Sequence, residues 1–173
     1  KNGYQTIKDN HLGDWGTQFG KLITAYLKWG NKAAVEKDPI NKLVKYYVHF
    51  HRVDKQHPEL DDEARNWFKK LESGNQEAMS LWKWFRHVSL ISFGKTYRKL
   101  GVKFDTYHGE SYYRHMLPGV VKLLKKKGLL KESRGAQIVD LSKYHLNPAL
   151  ILKSDGATLY ITRDIACAIW RDR

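Results

Sequence analysis

From Pro39 to Leu100 the chain reads as three helices in succession, and this run interrupts what would otherwise alternate between strands and helices. The first, Pro39 to Lys55, repeats Ile40, Leu43, Val44, Tyr47 and Val48 at helical spacing, with Pro39 placed where a first turn accepts proline. His57-Pro58-Glu59 breaks it, Asp61 to Leu71 forms a shorter helix, and Ser73-Gly74-Asn75 turns the chain into the longest, Gln76 to Leu100. Strand-like runs flank this block at Tyr4–Ile7, Val102–Tyr107, Leu129-Leu130, Ala136–Leu141 and Leu150–Leu152. No Pro/Gly/Ser-rich linker separates the parts. The expected fold is therefore α/β with a largely helical insertion, divided as 1–38, 39–100 and 101–173.

The last part holds the clearest change of period. Asp155-Gly156 signals a tight turn, Thr158-Leu159-Tyr160-Ile161 is β-prone, and Thr162 is a good N-cap for a helix from Arg163 to Trp170. A strand that runs straight into a helix delivers side chains to the carboxyl end of a sheet, where open α/β folds bind ligands. Tyr160 and Asp164 would flank such a crevice, and an acid there can receive a cation. Two plainer readings stand beside this one: Asp164 near a helix N-terminus favours the macrodipole, and Tyr160 serves as an ordinary strand aromatic.

Near the start, Gly13-Asp14-Trp15-Gly16 predicts a loop with unusual backbone angles. A helix follows from about Thr17, burying Phe19, Leu22, Ile23, Tyr26 and Leu27. Asp14 is placed to cap that helix or to orient a ligand, and Trp15 to stack on a base or to fill a core. Trp82-x-Trp84-Phe85 with Lys83 and Arg86 has the make-up of a base-stacking platform, although aromatics at helical spacing ordinarily build a core. His49 and His51, two apart on a helix, point to different faces. Asp105, His108 and Glu110 lack a fourth ligand and would alternate along a strand, which argues against a metal.

Charge narrows the partners. The 173 residues carry 31 Lys and Arg against 18 Asp and Glu, a formal charge of +13. Such an excess favours a polyanion nearby. The single cysteine, Cys167, rules out an internal disulfide and suits a small core thiol in a reducing compartment. No run of apolar residues reaches the length of a membrane span.

Four stretches carry a resemblance. SDGATLYITRDIA, Ser154 to Ala166, resembles the SDGxxxYxTRDxA segment of arginyl-tRNA synthetases. NHLGDWGTQFGKL, Asn10 to Leu22, is similar to that family's GDWGxQFG loop, and FDTYHGES, Phe104 to Ser111, to its D-x-Y-x-GES turn. Gly30 to Ile40 is similar to bacterial members. The resemblance implies part of a Rossmann-like nucleotide-binding catalytic domain, from an enzyme that activates L-arginine with Mg-ATP and passes it to tRNA(Arg). By motif match, Tyr160 and Asp164 would recognise the amino acid, with Glu110 as a further recognition group and Asp14, Trp15 and Gln18 on the active-site rim.

No residue here is assigned to catalysis, because the HxGH and KMSK signatures of class I synthetases are both absent. The chain is expected to be an internal fragment, inactive by itself, of a cytoplasmic and monomeric enzyme without a tightly bound metal. The competing expectation is a basic, non-catalytic RNA- or arginine-binding module, which explains the charge but gives no reason for paired acids.

Overall fold

A computed structural model describes residues 2–154 and 156–172. The chain divides into two compact units, Lys1–Lys8 with Asp14–Asp105, and Asp9–Gly13 with Thr106–Arg173.

The first unit is helical: α1 (Thr17–Trp29), α2 (Lys32–Lys37), α3 (Pro39–Val53), α4 (Glu59–Glu72) and α5 (Gln76–Lys99). Local chemistry sets several starts. The Asn31 side chain accepts from Ala34 N–H ahead of α2, and Asn75 accepts from the amides of Glu77 and Ala78 ahead of α5. Pro39 stands in the first turn of α3, as expected. One core gathers Trp15, Ile23, Val35, Leu43, Leu71, Trp82, Phe85 and Val88, and a smaller cluster joins Ala25, Phe50, Leu60 and Ala64. Gly20 lets α1 approach α4 closely, since a Cβ there would run into the Ala64 carbonyl. The helical packing thus begins with α1, whereas the sequence pattern opened its helical segment at residue 39.

Two apolar positions on α3 depart from the pattern: Val44 and Val48 are exposed, whereas Leu43 is buried as the pattern has it, together with Phe50. The expected strand Tyr4–Ile7 forms no ladder, and both its end residues are exposed. A β-prone run becomes a strand only when a partner satisfies its backbone.

The second unit holds a 3-10 segment (Glu110–Met116), α6 (Leu117–Lys126), β1 (Leu130–Ser133), β2 (Ala136–Val139), a short 3-10 turn (Ser142–Tyr144), β3 (Ala149–Leu152) and α7 (Tyr160–Arg171). The helical stretch Glu110–Lys126 is split at Leu117, because Pro118 lacks an amide hydrogen and fits only a fresh first turn. The strands form an antiparallel sheet in the order β1-β2-β3. Arg134 and Gly135 close the first hairpin with positive φ of 52° and 76°, the backbone a tight two-residue turn requires. Tyr113, Leu117, Val120, Leu124, Ile151, Ala166 and Cys167 make the core, so the cysteine is the core thiol expected.

Two expected strands are absent among the described residues. Val102–Tyr107 is reduced to the parallel bridge Asp9↔Thr106, and Thr158 makes an isolated antiparallel bridge with Leu152. The helix then begins at Tyr160, with Leu159 as its N-cap, so Thr162 lies inside it. Burial decides this: the Thr162 hydroxyl donates to the Ile151 carbonyl at 2.7 Å, and Ile161, Ile165 and Ile169 pack on the core at helical spacing. The expected turn residue Asp155 falls outside the described residues. No helix among the described residues is long and apolar enough to cross a membrane.

Candidate functional site

Tyr160 and Asp164 stand one turn apart on α7, and residues at that spacing share a helix face. Both side chains are exposed, the tyrosine at 59%. Asp164 lies in the second helical turn rather than the first, where the helix holds no acid. The dipole therefore gives little reason for it, since that effect fades within the first turn.

Beside this face the helix is tied down. Arg163 Nε donates to Glu110 Oε2 at 2.6 Å, and the two side chains are only 11% and 19% exposed. Glu110 is held by its own backbone as well, its N–H donating to the Leu12 carbonyl at 2.9 Å. At the other end of α7, Arg171 donates to Asp9 at 2.7 Å. Asp9 also accepts from the Thr106 hydroxyl at 2.7 Å and from His108 N–H at 2.9 Å. Burial acts to raise the Asp9 carboxyl, but these donors outweigh it and hold the group below its ordinary value. Within the unit, burial, with Cys167 beside it, pushes the Tyr113 phenol well above the usual tyrosine range, so that ring stays neutral.

The three rim candidates belong to the first unit. Asp14, 5% exposed, accepts from Arg86 Nε at 2.7 Å through its side chain, and from Trp82 Nε1 at 2.8 Å through its carbonyl. Trp15 fills the core edge-on to Trp82 and Phe68, with ring centroids 5.4 and 6.1 Å away. Gln18 donates to the Trp15 carbonyl at 3.2 Å. Gly16 allows this loop its backbone, with φ of 146°. Trp82 and Phe85 are likewise buried, so the Trp82–Phe85 cluster is core and offers no open stacking platform.

Sequence reasoning missed Arg163. The residue sits inside the TRD triplet and pairs with the glutamate of GES, but 53 positions separate the two. Among the described residues no group of three or more His, Cys, Asp or Glu is arranged to hold a metal.

The class of protein is settled by comparison with known families: over residues 1–173 the chain matches the family described as "tRNA synthetases class I (R), catalytic domain", and it belongs to that family. It is 69% identical over 173 residues to the arginine–tRNA ligase of Levilactobacillus brevis and 65% identical to that of Pediococcus pentosaceus, in both covering 100% of this chain and 31% of the relative. Among solved structures, the arginyl-tRNA synthetase of Plasmodium falciparum matches 96% of this chain and 28% of its own, with a TM-score of 0.76 at 28% identity. The enzyme of Thermus thermophilus shares the fold over 97% of this chain and 29% of its own, with a TM-score of 0.68 at 21% identity. The fold class is thus the Rossmann-like class I catalytic domain, of which this chain contributes the helical unit and an antiparallel sheet with its flanking helices.

Proposed function

We propose that this chain is part of an arginine–tRNA ligase, which activates L-arginine with Mg-ATP and transfers it to tRNA(Arg). The observation that supports this best is the family match across all 173 residues, joined to an exposed phenol and carboxylate on one face of α7. A guanidinium is a planar cation with five donors, and a carboxylate can take two of them at once. Asp164 supplies that acceptor, Tyr160 adds a directional oxygen, and Glu110, one oxygen of which is held by Arg163, offers its other oxygen as a further acceptor. Asp14, Trp15 and Gln18 shape the rim of the active site. The parent enzyme works as a cytoplasmic monomer, with no membrane partner and no tightly bound metal.

Catalysis of adenylate formation rests on phosphate-binding groups of the HxGH and KMSK signatures, neither of which occurs in this chain. The isolated 173-residue chain should therefore form no aminoacyl adenylate. Arginine-dependent ATP–pyrophosphate exchange by the full-length protein, with citrulline as competitor, tests the reading. Citrulline keeps the shape of arginine and loses its charge. Exchange with arginine and weak competition by citrulline are expected; equal recognition of the two would overturn the carboxylate assignment.

A further inference from the structure

We infer that the exposed face of α5 around Gly94 is a docking surface for the phosphate backbone of RNA, an inference that rests on the ligase reading for its partner. No acidic residue occurs between Glu77 and Asp105, while that stretch holds Lys83, Arg86, Lys95, Arg98, Lys99 and Lys103. Arg86 is turned to Asp14. Lys83, His87, Lys95 and Arg98 are exposed, and at 3.6 residues per turn they fall within about a third of the helix circumference, along about 22 Å of its axis. None of the four has an ion-pair partner among the described residues. Elsewhere in this unit acids are neutralised where they stand, Asp54 and Asp61 by Lys21 and Glu63 by Lys28. The uncompensated positive charge is concentrated on α5 and on α3, which has no acid between Asp38 and Asp54.

Gly94 is the second, independent observation. It lies inside the 24-residue helix, where glycine is a poor choice, and nothing in the fold calls for it. A Cβ there would meet only the Arg98 guanidinium, at 3.6 Å. Glycine at an open position ringed by cations suits the close approach of an outside backbone. The face carries a single exposed large apolar residue, Ile91 at 52%, too little for the broad apolar side of a membrane-surface helix. A uniformly charged polyanion is the partner that fits.

The test follows binding of a fluorescein-labelled RNA hairpin to the 173-residue chain by anisotropy across a KCl series. Reversing three charges on the face (K83E/K95E/R98E) is expected to weaken binding about tenfold and flatten the log–log salt slope by about two to three. A control with the same change in net charge on α6 (K122E/K125E/K126E) should move affinity much less. Gly94→Ala should raise the melting temperature and still weaken binding. Equal losses in the two triple variants, or unchanged affinity in Gly94→Ala, would overturn the proposal. In the full-length protein the face variants should raise the KM for tRNA and spare kcat. If the wild-type full-length protein charges no tRNA with arginine yet the face variants lose hairpin binding, the surface stands and the reading of the activity falls.

Discussion

Arg163 and Glu110 form a largely buried ion pair, Nε to Oε2 at 2.6 Å, joining two motifs 53 positions apart. A protein guanidinium thus occupies one oxygen of the carboxylate that the proposed reading sets beside a substrate guanidinium.

Arg163→Gln should destabilise the chain, because it leaves Glu110 charged in a site that is 19% exposed. Charge-assisted hydrogen bonds contribute about 1.5–3 kcal/mol, which corresponds to a fall in melting temperature of roughly 3–12 °C for a domain of this size. Thermal denaturation followed by circular dichroism checks this, and a shift below 1 °C would mean that the pair adds nothing to the fold.

Asp164→Asn should behave in the opposite way. Its carboxylate is exposed and has no hydrogen-bond partner among the described residues, so stability should stay within about 0.5 kcal/mol of the wild type. Arginine saturation of the full-length enzyme should suffer instead, since losing a charged partner costs about 2–5 kcal/mol when the pair is desolvated. Unchanged saturation kinetics would remove Asp164 from the recognition site.

Acid should release one end of α7. The folded Asp9 carboxyl is held below its ordinary value, so its contribution is complete above the unfolded aspartate value of about 4 and is lost as pH falls through the lower folded value. Urea midpoints of the wild type and Asp9→Asn should therefore differ at pH 7, with a gap that narrows as pH falls below about 4. A gap that keeps its pH 7 size throughout the acid range would show that Asp9 acts by packing and not by charge.

Two glycines in long helices should respond with opposite signs. Gly20→Ala drives a methyl into the Ala64 carbonyl and should cost about 1–3 kcal/mol, as overpacked cores do. Gly94→Ala has open space and should stabilise by about 0.5–1 kcal/mol. Denaturant titration of the two variants measures both effects directly.

Legibility followed the kind of interaction that fixes each element. Helices α1, α3, α4 and α5 could be read because periodic apolar faces, Pro39 and the Asn75 cap are local signals. Thr158–Ile161 was misread as a strand: its β-branched run was real, but the bond from Thr162 to Ile151 and the burial of Ala166 are tertiary, and they draw Tyr160 into the helix. Tyr4–Ile7 failed for want of a partner, which no short run can announce. At the candidate site, motif resemblance nominated Tyr160, Asp164 and Glu110, while the Arg163 pairing depends on contacts made only after folding.

The two ends of α7 are moored through Arg163 and Arg171, which spend their own charges to do it. Tyr160 and Asp164 inherit the resulting stiffness without using their oxygens as struts. On the proposed reading their acceptor oxygens are set before arginine arrives, so the ligand would meet a surface whose entropy of ordering was already settled during folding.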